Sequence, residues 1–131
     1  MKLVICEKPS VGAAVAAALG VTGKKDGYIE NDKYIISWCI GHLVQLSEAA
    51  AYGEQYKKWS YDSLPILPQE WQYTVAADKG KQFKILKDLM QRSDVSEVVN
   101  ACDAGREGEL IFRFVYHQAG CKKPFTRLWI S

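Results

Sequence analysis

The sequence predicts one α/β domain with a mainly parallel central sheet flanked by helices, and three observations carry that expectation. Leu3-Val4-Ile5-Cys6 is a short, unbroken apolar run with the β-branched content of a strand covered on both faces, and Val95 to Cys102 reads as a second buried strand. Each run leads directly into a segment of helical periodicity, which is the opening of a strand–helix crossover. Between them, Gly27-Tyr28-Ile29-Glu30 and Lys33-Tyr34-Ile35-Ile36-Ser37-Trp38 flank Asn31-Asp32, the signature of a tight hairpin. A length of 131 residues suits one domain with a core of its own.

Taken in order, the first strand is followed by a helix that Pro9 starts and Gly20 ends, with Val11, Ala14, Val15, Ala18 and Leu19 recurring at helical spacing. Gly41-His42-Leu43 closes the second strand of the hairpin. From about Ser47 to Gln69 periodicity fades, Pro65 and Pro68 oppose regular structure, and dense aromatics predict an irregular but ordered excursion. Gln72-Tyr73-Thr74-Val75 reads as a strand. Phe83, Leu86, Leu89 and Met90 mark one face of a helix carrying Lys81, Lys84 and Lys87. After the Val95–Cys102 strand, a helix beginning beyond Gly105 turns Leu110, Ile111, Phe114 and Val115 inward and ends at Gly120. Phe125 to Ile130 forms the last strand.

Composition sets few limits. Seventeen Lys and Arg against fifteen Asp and Glu leave a formal charge of +2, so any contact with nucleic acid must be local rather than a basic coat. The start of the chain does not read as a signal peptide, and no stretch has the length of a membrane span. The four cysteines, Cys6, Cys39, Cys102 and Cys121, form no C-x-x-C pair and read as small buried thiols rather than as zinc or disulfide partners. The reading is a reduced, cytoplasmic protein.

The chemistry concentrates at two strand-to-helix junctions. Ligand sites of open α/β sheets form beyond the carboxyl ends of the strands. Glu7 follows the first strand and Asp103 follows the Val95–Cys102 strand, so if the two strands are neighbours both carboxylates enter one crevice. Glu107 lies one helical turn after Asp103 and completes a cluster of three acids: Glu7, Asp103, Glu107. An all-oxygen set of this kind suits magnesium, which keeps several waters for phosphate. Gly105 and Gly108 permit close backbone approach at a helix start, and Lys8 and Arg106 add positive charge where a phosphodiester would lie. Blander readings stand beside this one: either acid alone is a helix-capping carboxylate, and Arg106, Glu107 and Glu109 make a solvated first turn. Neither junction spells a dinucleotide or P-loop fingerprint.

Glu7-Lys8-Pro9-Ser10 and Asp103-Ala104-Gly105-Arg106-Glu107-Gly108-Glu109 resemble the two signatures of the Toprim domain of bacterial type IA DNA topoisomerases. Trp38-Cys39-Ile40-Gly41-His42-Leu43, Tyr56-Lys57-Lys58-Trp59, Leu64-Pro65-Ile66-Leu67-Pro68 and Arg127-Leu128-Trp129-Ile130-Ser131 resemble the topoisomerase III branch in particular. The resemblance covers essentially residues 1–131 and departs from the fuller Asp-x-Asp pattern at Gly105, which removes one metal ligand and leaves Glu107 or Glu109 to compensate.

The resemblance implies a Toprim fold and a domain excised from the N-terminal end of a larger enzyme. That enzyme cleaves single-stranded DNA through a 5′-phosphotyrosyl link, passes a strand and reseals without ATP. Glu7 is then the proton donor to the leaving 3′-oxygen, Lys8 steadies phosphoryl charge, and Glu7, Asp103 and Glu107 hold Mg²⁺. Trp59, Lys58, His42 and Arg106 contact DNA, with a structural histidine as the bland alternative for His42. The nucleophilic tyrosine belongs to another domain: Tyr34 and Tyr73 read as strand residues and Tyr116 as helix surface. Single-stranded DNA and the remaining domains are the implied partners, and a helicase partner is left open. A bacterial cytoplasmic setting, on the nucleoid or on a mobile element, follows from the same resemblance. The rivals are another Toprim enzyme, primase or nuclease, and a non-catalytic domain that binds phosphate or a partner.

Overall fold

The computed structural model describes residues 1–46, 73–76 and 78–129. The aromatic excursion, with Lys58 and Trp59, lies outside these residues. In chain order the elements are β1 (Lys2–Cys6), α1 (Pro9–Leu19), β2 (Gly23–Lys25), β3 (Tyr28–Glu30), β4 (Tyr34–Trp38), β5 (Val44–Leu46), β6 (Tyr73–Val75), α2 (Gly80–Met90), β7 (Glu97–Ala101), α3 (Arg106–Gln118) and β8 (Phe125–Arg127).

Six strands form one sheet in the order β2-β3-β4-β1-β7-β8. β4, β1, β7 and β8 are mutually parallel, and β2 and β3 add an antiparallel edge. The alternation of side chains along β1 feeds two cores. Leu3 and Ile5 join Leu86, Leu89 and Met90 of α2 and Ile111, Phe112 and Val115 of α3 on one face. Val4 and Cys6 join Ala16 of α1 on the other. Each fully buried Leu, Ile, Val, Phe or Met among them contributes roughly 1.5–3 kcal/mol.

Local chemistry explains the boundaries. Pro9 occupies the first turn of α1, where its missing N–H costs nothing, and Gly20 ends the helix at φ 72° while its N–H returns to the Ala16 and Ala17 carbonyls. The hairpin turn is held by Asn31, whose Oδ1 accepts from the N–H groups of Lys33 at 2.8 Å and Tyr34 at 2.7 Å. Gln82 of α2 is buried yet satisfied, donating to the Trp38 carbonyl at 2.8 Å and to the Gly27 carbonyl at 3.3 Å.

Several sequence expectations need correction. The buried face of α1 is Gly12 and Ala16, while Ala14, Ala18 and Leu19 are exposed. A Cβ on Gly12 would come within 2.7 Å of the Trp38 ring, so the helix lies close to β4 on its smallest residues rather than on its largest. In α3 the inward set includes Phe112, fully buried, whereas Leu110 is 38% exposed. Tyr116 is not bare helix surface: its ring stacks on Phe112 and its hydroxyl donates to the Lys123 carbonyl at 2.7 Å. The last strand stops at Arg127. Gly41 lies three residues beyond β4 in a turn with φ 63°, and β5 pairs antiparallel with β6 in a ribbon separate from the main sheet. The edge strand β2 escaped the sequence reading because Gly23-Lys24-Lys25 is exposed throughout and has no alternation to read.

Candidate active site

The register places the two acid-bearing junctions side by side. Cys6 of β1 pairs with Ala101 of β7 in parallel, so Glu7 and Asp103 emerge together at the carboxyl edge of the sheet. On the other side Cys6 pairs with Trp38 of β4, and the Cys39 N–H donates to the Cys6 carbonyl at 2.8 Å, extending that contact toward Gly41 and His42. β1 thus lies at the point where the chain has turned first toward β4 and then back toward β7. Ligand crevices of open α/β sheets lie at such positions.

Glu7 and Asp103 interact directly. The Glu7 carboxyl is held above its ordinary value, first by a hydrogen bond shared with Asp103, then by partial burial and by the charges of Asp103 and Glu107, with Lys8 opposing. Two carboxylates that crowd one another in this way hold a proton or a cation between them more readily than either does alone. Lys8, Asp103, Arg106 and Glu107 are all exposed, so the site opens to solvent.

Glu107 has a partner of its own. Its Oε1 meets His42 Nε2 across the crevice, and the His42 carbonyl accepts from Lys79 Nζ at 3.3 Å. Among the described residues no group of three His, Cys, Asp or Glu side chains is arranged to hold a metal ion. The structure therefore assembles a carboxylate pair and, beside it, a histidine–carboxylate pair. The His42–Glu107 contact spans 65 residues of sequence and had no signal in the local motifs. Glu109 is engaged elsewhere, accepting from Arg113 Nε at 2.9 Å and Asn100 Nδ2 at 3.2 Å, so it does not stand in for the missing acid.

The two glycines of the second motif act differently. A Cβ on Gly108 would fall 2.2 Å from the Asp103 carbonyl oxygen, so the first turn of α3 rests directly on the Asp103 backbone and only glycine fits. Gly105 is extended, at φ 163° and ψ 175°, and a Cβ there would meet nothing within 4 Å. Packing does not demand glycine at 105.

The fold and this crevice define the class: an α/β domain with an acidic, oxygen-donor site at the carboxyl edge of a mainly parallel sheet. The Toprim domain profile matches residues 2–131, and the chain belongs to the Toprim domain family. It is 46% identical over 129 residues to "DNA topoisomerase 3" of Staphylococcus haemolyticus, a match covering 98% of this chain and 18% of that protein. Over 130 residues it is 48% identical to the protein of that name from Shouchella clausii (99% and 18% covered), and over 129 residues 44% identical to that of Bacillus subtilis (98% and 18%). The chain thus spans about a fifth of the length of these relatives.

Toprim domains bind divalent metal, and the donor chemistry fits one. Glu7 and Asp103 offer adjacent carboxylate oxygens in an open crevice, and hard cations such as magnesium are held by one or two carboxylates with water and phosphate filling the remaining positions. The cysteines nearest the site, Cys6, Cys39 and Cys102, are buried and free. No helix among the described residues is long and apolar enough to cross a membrane.

Proposed function

We propose that this chain is the N-terminal Toprim domain of a type IA DNA topoisomerase III, supplying the proton-transfer and metal half of a site that cleaves and reseals single-stranded DNA. The observation that carries this reading is the pairing of Glu7 with Asp103 across adjacent parallel strands, within a chain that matches the Toprim profile almost end to end. A tyrosine hydroxyl from a separate domain gives up its proton to water and attacks the phosphodiester, the bond to the 3′-oxygen breaks, and the phosphate remains on the tyrosine. Glu7 donates its proton to the departing 3′-oxygen and recovers it from the 3′-hydroxyl on resealing. The upward shift of the Glu7 carboxyl, set first by its hydrogen bond with Asp103, suits a group that must carry a proton to the leaving oxygen. Lys8 faces solvent at the same edge and steadies charge on the phosphoryl oxygens.

Glu7 and Asp103 would hold Mg²⁺, with Glu107 joining them on release from His42; the ion supplies positive charge against the phosphate. Arg106 and His42 flank the crevice as backbone contacts. Lys58 and Trp59 are assigned to single-strand contact by resemblance alone. The described tyrosines, Tyr28, Tyr34, Tyr73 and Tyr116, belong to β3, β4, β6 and α3.

The test is Glu7→Gln in a polypeptide that also carries the tyrosine domain. Single-turnover cleavage of a short single strand should slow by ~10²–10⁴-fold, the usual worth of general acid–base catalysis. Strand binding should change little, because phosphate contacts dominate it. Cleavage at the parental rate would remove Glu7 from the mechanism.

A further inference from the structure

The Asp103 backbone is held by a residue from the neighbouring edge strand. Arg127, at the end of β8, donates from Nη1 to Asn100 Oδ1 at 2.8 Å and to the Cys102 carbonyl at 2.8 Å. Its Nη2 donates to the Asp103 carbonyl at 2.7 Å, and its Nε faces Glu109 Oε2 at 3.6 Å. Asn100 is fully buried and extends the grip, accepting from the Cys102 N–H at 3.1 Å and donating to Glu109 at 3.2 Å. From the opposite side the first turn of α3 presses on the same peptide through Gly108. The β7–α3 junction is therefore clasped between a guanidinium and a helix backbone.

Anchoring an edge strand does not require this set. β8 already pairs with β7 from Val98 to Asn100, and the Leu128 N–H donates to the Asn100 carbonyl at 2.9 Å. The additional donors go to two successive carbonyls at the point where the chain leaves β7 and presents the Asp103 carboxylate to Glu7. A planar guanidinium offers several fixed donors at once, which an ammonium on a flexible stem does not reproduce. Groups behind a site acid set its orientation and tune what it binds.

We infer that Arg127 is a positioning residue for Asp103, working with Asn100 and Glu109 to hold its carboxylate against Glu7. This rests on the reading of Asp103 as a site acid. Arg127→Lys keeps the charge and most of the stem but removes the fork, and Glu109→Gln keeps the shape but removes the charge facing Nε. In the metal-free 131-residue chain, Arg127→Lys should speed hydrogen exchange of the Cys102 amide by about tenfold. The amides of Leu3 to Ile5 in β1 should exchange as before. Manganese(II) affinity, followed by paramagnetic broadening at Glu7 and Asp103, should fall by about tenfold, the lower end of the usual effect of groups behind a metal ligand.

A folded Arg127→Lys chain with parental Cys102 exchange and parental manganese affinity overturns the inference. If Arg127→Lys does not fold, Glu109→Gln decides in the same assays: faster Cys102 exchange with weaker manganese binding supports the clasp, and unchanged values for both reject it. A parental chain that shows no manganese effect at Asp103 refutes the site reading itself and the role of Arg127 with it. Loss of affinity in the variant alone isolates Arg127.

Discussion

The two acid-bearing junctions share a topology and differ in how they are held. At the β1–α1 junction Glu7 and Lys8 leave the strand without a side-chain cap, Pro9 starts the helix by its own ring geometry, and Lys8 is exposed. At the β7–α3 junction Asp103 is gripped by Arg127 from β8, backed by buried Asn100, and overlaid by Gly108 of its own helix. Glu7 is placed by chain-local rules and strand register, and Asp103 by contacts from distant sequence. The second junction therefore rests on more side-chain contacts than the first. Under the proposed function, that asymmetry suits a pair in which Glu7 exchanges a proton while Asp103 stays in place.

The largest effect should come from closing the gap that Gly108 leaves. Gly108→Ala places a methyl 2.2 Å from a backbone oxygen that cannot swing aside, so α3 must lift. Overpacking of this kind costs typically 1–3 kcal/mol, and about 3 kcal/mol is expected because the clash is with backbone. Urea unfolding of the variant measures it, and a loss under about 0.5 kcal/mol would mean that the tight contact at this junction is not real.

Gly105→Asp probes the same loop at a position with open space. It restores the acid of the fuller Asp-x-Asp pattern and should raise magnesium affinity by about tenfold through the added charge. Stability should shift by no more than about 0.5 kcal/mol. Calorimetric titration reads the gain, and an unchanged affinity would show that position 105 does not face the cation.

Alkaline pH tests the ground beneath both junctions. Cys6 and Cys102 directly precede Glu7 and Asp103, and burial pushes the Cys6 thiol up from 9.0 to about 12. A hydrogen bond with Cys102, and then burial, also raise the Cys39 thiol. A thiol raised in the folded state leaves stability intact below pH 9.0 and removes it as the unfolded thiol ionises, until the folded group follows near 12. About 1.4 kcal/mol should be lost to Cys6 by pH 10. Unfolding midpoints at pH 8 and 10 for the parent and Cys6→Ala should therefore converge as the pH rises, and parallel curves would refute the assignment.

The smallest effect belongs to the loosely held junction. Lys8→Ala removes an exposed side chain that makes no cap, and should change stability by less than about 0.5 kcal/mol. A larger loss in urea would make the two junctions alike after all.

Much of this was legible before the fold. Pro9 and Gly20 bounded α1, Asn31 marked the hairpin turn, and the Glu7-Lys8 and Asp103–Glu109 segments located the crevice. The errors have a common cause. The Gly12–Ala16 face of α1 and the place of Phe112 depend on which neighbour each helix meets, and Trp38 and Phe125 are far away in sequence. Periodicity ranks side chains by size, and a helix that packs closest on glycine defeats that ranking.

By itself the sequence determined the kinds of element, their order and the acids that follow β1 and β7, because capping, turn chemistry and strand runs are local properties of the chain. Only the tertiary structure decided that β1 lies between β4 and β7, that Glu7 pairs with Asp103 while Glu107 turns to His42, and that Arg127 holds the second junction from β8. Those are contacts between residues 24 to 96 positions apart, and their geometry is set by strand register and side-chain packing, which no local pattern encodes.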